Sequence, residues 1–155
     1  MKIAFPIDGL LSNTDSLNDE WGRRLGSDFK KDESFWAGVK PYEDSFELIQ
    51  NAVQEGWDFY VFACRPKAFV LPTRAWLRNN YGLNIEKERL VMDAIKRYDC
   101  RLRGIQVFID SDLKLVENLA IETVIPIQTY YVDRSKPGAM LETIRKINEG
   151  NRYQY

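Results

Sequence analysis

The chain has 155 residues, 45% of them hydrophobic and 29% charged, enough to bury a core in one domain of ordinary globular composition. Twenty-two basic against 23 acidic residues leave a net charge of -1, with no basic surface to grip duplex nucleic acid or an anionic membrane. Histidine is absent, which excludes Ser-His-Asp and Cys-His catalysis and imidazole metal sites, so any chemistry falls to carboxylates, Lys, Tyr, Cys or an oxygen-bound metal.

Strand and helix signals alternate along the chain, the pattern of an α/β fold built on a mainly parallel sheet. Residues 2–7 are apolar nearly throughout, as a strand buried on both faces should be. Leu17, Trp21, Leu25 and Phe29 recur every four residues and mark one helix face. A helix is expected over 41–55, with Pro41 near its start, Gly56 at its stop, and Phe46, Ile49 and Val53 toward the core. A second strand spans 57–63 and stops at Cys64-Arg65-Pro66; a helix over 72–81 ends at Gly82. A short third strand at 89–92 and a helix or turn near 93–98 precede a fourth strand at 105–109. A helix over 113–120 leads to a fifth strand at 123–127. The last helix begins near Ser135 as N-cap, with Leu141, Ile144 and Ile147 on one face and residues 151–155 as a loose tail. Trp21 and Trp76, at helical spacing, are expected to pack rather than to stack on bases.

No apolar stretch approaches the roughly 20 residues that span a bilayer, and the start lacks the pattern of a signal peptide. Cys64 and Cys100 form neither a CxxC motif nor a disulfide framework, so a reducing cytoplasm is the expected location.

Asp8, Arg65, Asp110 and Asp112 all fall where strands end. Singly, each carboxylate is explained by turn chemistry or, for Asp112, by capping of the next helix. Together they nominate the carboxyl edge of the sheet as a site, because loops of parallel sheets gather ligands there.

Phe5-Pro6-Ile7-Asp8-Gly9-Leu10-Leu11 resembles the first motif of the haloacid dehalogenase (HAD) superfamily, Asp-x-Asp-Gly-x-Leu, a group mostly of phosphatases and phosphotransferases. Tyr60-Val61-Phe62-Ala63-Cys64-Arg65-Pro66 is similar to the second motif, Lys96 stands where the family's lysine usually does, and Val107-Phe108-Ile109-Asp110-Ser111-Asp112 resembles the fourth. Residues 35–42 and 73–83 are similar to the 5′-nucleotidase and polynucleotide-kinase-phosphatase branches.

The resemblance implies a three-layer sandwich with a Rossmann-like sheet of order 3-2-1-4-5 and a small helical cap inserted at about 12–40. It implies phosphate contacts from Gly9, Cys64, Arg65 and Lys96, with the second-motif hydroxyl falling on Ala63. It puts magnesium at Asp8, Asp110 and Asp112, and Asp8 in the acid/base position. The nucleophile position is Pro6, which has neither a carboxylate nor a backbone N–H. Ala63 has no hydroxyl. The expectation is therefore a degenerate domain that binds a phosphorylated small molecule, a nucleotide or a protein partner without aspartyl-phosphate chemistry, its magnesium weakened. The alternatives are a magnesium-dependent phosphatase or 5′-nucleotidase of unusual chemistry, with Asp8 as base, and an assembly protein whose pocket is filled by side chains.

Overall fold

The structure, a computed structural model, describes residues 1–14, 33–121 and 126–152. Five parallel strands form one sheet: β1 (Lys2–Pro6), β2 (Asp58–Ala63), β3 (Leu90–Met92), β4 (Val107–Asp110) and β5 (Gln128–Tyr131). They run in the order β3-β2-β1-β4-β5, the order implied by the resemblance, with β1 at the centre. Lys2 lies opposite Asp58, and Ile3 opposite Val107.

Alternate residues of each inner strand face opposite sides, and both sides are covered. Ile3, Phe5, Val61, Ala63, Val107 and Ile109 join a cluster that helices α2 (Ser45–Gln54), α3 (Val70–Tyr81) and α6 (Ala139–Arg152) complete through Leu48, Leu77 and Ile144. Ala4, Phe62 and Phe108 point the other way, onto Cys100 of α4 (Lys96–Arg103) and Leu119 of α5 (Leu113–Ala120). Two helical layers around a doubly buried sheet make the three-layer α/β sandwich. A further helix, α1 (Glu33–Gly38), buries Phe35 and Trp36 against Val39 and Phe69.

Local chemistry sets the element ends. Gly82 and Gly104 take left-handed conformations just after α3 and α4, which only glycine adopts without a Cβ penalty. The Asp112 side chain accepts from Leu115 N at the start of α5.

Several expectations need correction. The fifth strand of the sheet is Gln128–Tyr131, and residues 126–127 of the expected 123–127 strand precede it: Gln128 N donates to Gln106 O and Val132 N to Asp110 O, aligning this segment with β4. Residues 122–125 lie outside the described residues. The last helix begins at Ala139, because Asp133 Oδ1 holds Ser135 N in a turn and Gly138 sits at φ +80°. It continues through Arg152, into the expected tail.

In α2 the buried stripe is Ser45, Leu48, Ile49 and Ala52, leaving Phe46 and Val53 exposed. In α6, Met140, Ile144 and Ile147 are buried and Leu141 is not. Pro41 precedes α2 and bridges to Ser12. Of the expected cap, the helix carrying Leu17, Trp21, Leu25 and Phe29 lies outside the described residues.

Candidate functional site

At the carboxyl edge of the sheet, Asp8, Gly9, Thr14, Trp36, Cys64, Lys96, Asp110, Ser111, Asp112, Leu113, Lys114 and Tyr131 line an open cavity of about 610 Å³. β1 delivers Asp8, β2 Cys64, the first position of α4 Lys96, and β4 the Asp110–Asp112 turn. Six of the nine residues singled out from the sequence converge there. Pro6, Ala63 and Arg65 do not line it.

The ionic groups form two closed pairs. Asp8 Oδ1 accepts from Arg65 Nη2 at 2.9 Å, from Thr14 Oγ1 at 3.2 Å and from Ser12 Oγ at 3.4 Å. Asp8 Oδ2 is buried with no hydrogen-bond partner. Arg65 is 1% exposed, with its guanidinium 4.5 Å from the Trp36 ring centroid and 5.8 Å from that of Trp76. Its Nη1 faces Thr73 Oγ1 at 3.5 Å. Two aromatic faces and one carboxylate thus hold a cation out of water. That enclosure points the Arg65 charge at Asp8 rather than into the cavity.

The second pair joins the lysine and the fourth motif. Lys96 Nζ donates to Asp110 Oδ2 at 2.8 Å. Asp110 Oδ1 accepts from Ser111 N at 2.7 Å and Asp112 N at 3.1 Å. Burial pushes the Asp110 carboxyl upward, while Lys96 and the two amides pull it back. Asp93, between β3 and Lys96, adopts φ +50°, a left-handed turn that Asp tolerates better than most residues. Its N–H donates to Arg65 O, so the same loop that delivers Lys96 clasps the Arg65 backbone.

Pro6 ends β1 fully buried, opposite Phe62, and the next amide, Ile7 N, donates to Phe62 O at 2.8 Å. Ala63 is buried and its carbonyl accepts from Ala94 N. Cys64 is exposed overall, but its Sγ faces Ala94 O at 3.8 Å, and desolvation raises its thiol above the ordinary range with Lys96 opposing. It is a thiol at neutral pH.

Gly9 takes φ +86°, and a Cβ there would lie 3.2 Å from Ser111 Oγ. That hydroxyl donates to Gly9 O at 2.7 Å, tying the first-motif loop to the fourth.

The loop after Asp8 is anchored from below by residues that carry no motif. Ser45 Oγ and Arg134 Nη2 both donate to Leu10 O. Tyr81 OH lies within reach of both Leu11 O, the nearer, and Tyr42 O, and its one proton goes to Leu11 O. Arg134 also clasps both Asp44 oxygens, at 2.7 and 2.9 Å, and lies over the Tyr42 ring. Sequence reasoning missed Ser12, Thr14, Lys114 and Arg134. Ser and Thr a few residues beyond Asp8 were a usable local signal; Arg134, far along the chain, left none.

The donors present do not fit magnesium, which asks for near-octahedral oxygen ligation and several waters. Asp110 has three donors on its two oxygens, Asp112 caps α5, and the Asp8 carboxylate is held by Arg65. Among the described residues no group of three or more Cys, Asp or Glu side chains could hold a metal ion.

No family model and no curated protein matches the sequence. A solved structure, that of the class C acid phosphatase from Bacillus anthracis, is similar with a TM-score of 0.59 at 15% identity, covering 95% of this chain and 78% of that one. At that identity the likeness shows the fold, which is HAD-like.

Proposed function

We propose that this chain is a HAD-like domain that holds a phosphorylated small molecule at the carboxyl edge of its sheet without hydrolysing it. The observation that carries the reading is Pro6 at the end of the central strand, in the nucleophile position by resemblance. Aspartyl-phosphate chemistry needs a carboxylate oxygen there to bond to phosphorus. Losing a residue that forms the covalent bond costs on the order of a millionfold, by the protease precedent. Asp8, in the acid/base position, is also committed to Arg65.

What supports ligand binding is the cavity itself. It is open, and Lys96, Lys114, Thr14 and Ser111 bring cations and hydroxyls to its wall. An assembly protein reusing the fold was expected to close this space with side chains. A 5′-nucleotidase using Asp8 as base would need that carboxylate released from a buried guanidinium.

The test is direct. Purified protein is incubated with an aryl phosphate and with nucleoside monophosphates, with magnesium and with chelator, and released phosphate is measured. No release above buffer is expected, together with saturable binding of at least one phosphorylated compound by calorimetry. Turnover at ordinary phosphatase rates would end the reading.

A second reading, docking on a protein partner, is favoured by one observation. Ile95, Tyr98 and Leu102 stand exposed in a row at helical spacing along the outer side of α4.

A further inference from the structure

We infer that Lys96 is the built-in cation of this pocket, its ammonium sitting on the Asp110 carboxylate where a divalent ion would have to bind, so that the pocket works without metal. This deepens the proposed function, since it concerns the same cavity.

The lone pairs of Asp110 decide what can bind there. The residue is 1% exposed and ends β4, so its carboxylate is fixed by the sheet. One oxygen takes two backbone amides of its own turn, at 2.7 and 3.1 Å. The other takes Lys96 Nζ at 2.8 Å, a charge-assisted contact with both partners largely out of water. A magnesium ion needs an oxygen at roughly 2.0–2.1 Å and a clear path for its remaining ligands. At Asp110 it must either displace the ammonium from a buried carboxylate or share Oδ2 with it, two cations side by side and largely out of water.

The neighbours do not compensate. Asp112 has turned its side chain to Leu115 N, and the fully buried Arg65 answers the charge of Asp8. Each acidic side chain that the resemblance assigns to magnesium thus has at least one protein donor, and the orphaned Asp8 Oδ2 is one oxygen where a divalent ion asks for about six ligands. A lysine is suited to this exchange, being a compact point charge on a flexible stem. It does the neutralising of a metal while supplying no Lewis acid and no bound water.

The experiment is a magnesium titration of the wild-type protein and of Lys96→Ala by isothermal calorimetry, with thermal melts in magnesium and in chelator. Wild type is expected to show no binding heat and the same melting midpoint in both buffers. Lys96→Ala should gain apparent magnesium affinity by roughly tenfold or more, the order that neighbours of a metal ligand contribute. Its midpoint should rise with magnesium. Lys96→Arg, which keeps the cation, should stay insensitive.

Wild-type magnesium binding at micromolar concentrations would overturn the inference. So would a folded Lys96→Ala protein as indifferent to magnesium as the parent. If Lys96→Ala does not fold, wild type and Lys96→Arg decide the matter. The two proposals fail separately: magnesium binding without phosphate release sinks only this one, and phosphate release in chelator sinks only the proposed function.

Discussion

Arg65 is the largest side chain fully enclosed among the described residues, and it governs what can change around Asp8. Removing either partner leaves the other charge buried and unanswered, which costs about 3–5 kcal/mol. Arg65→Met and Asp8→Asn are each expected to destabilise by that order in chemical denaturation. The double variant should lose clearly less than the two losses combined, because the partners are in contact. A second expectation concerns the cysteines. Desolvation raises both thiols, Cys100 to about 12. A raised pKa means less thiolate at neutral pH, hence slower alkylation than a free cysteine. Mass spectrometry should find Cys64 modified only slowly near pH 7 and faster as pH rises, with Cys100 protected until the protein unfolds. The Asp8 turn was legible from the sequence as Asp followed by Gly. The Arg65–Asp8 pairing was not, because it depends on Trp36 and Trp76 closing over the guanidinium from two distant helices.

At the scale of elements, the turn after Asp8 owes its shape to α3 and to the segment before α6. Tyr81→Phe deletes one donor to Leu11 O, which keeps Tyr42 N at 2.8 Å. The expected loss is about 1 kcal/mol, the net worth of an ordinary hydrogen bond. Asp112→Ala removes the cap of α5 and should likewise cost about 1 kcal/mol by thermal or denaturant melts. Gly9→Ala should cost more than either. Its φ of +86° resists a side chain, and the added carbon crowds Ser111 Oγ. Combining it with Ser111→Ala relieves the crowding but not the backbone strain.

The element boundaries show where local signals succeed. Leu113–Ala120 could be read outright, having a cap at Asp112 and a clean apolar stripe. The β-branched run over 123–127 is the stronger local strand signal, yet the segment paired with β4 is Gln-Thr-Tyr-Tyr. That register with β4 is a long-range choice that local propensity does not record.

Across the whole molecule, alternation of strands and helices foretold the layered architecture, and the resemblance supplied the strand order that patterning alone leaves open. The rotated faces of α2 and α6 show the limit of that reading: with apolar side chains on both flanks, only docking decides which are enclosed. Phe62 and Phe108 meet on the same face of the sheet at a centroid distance of 5.9 Å. Phe108→Ala should cost about 3–5 kcal/mol, measured by denaturant unfolding. Ile95→Glu on the outer side of α4 should change stability by less than about 0.5 kcal/mol.

The position of β1 has a consequence for biogenesis. Of the five strands β1 is translated before the others, and its two neighbours, reached at Asp58 and Val107, follow much later. At the usual pace of synthesis the nascent Ile-Ala-Phe stretch therefore waits on the order of seconds with both backbone edges unsatisfied. Such a segment invites chaperone holding, and chains truncated before residue 107 should be markedly more prone to aggregate than chains that carry β4.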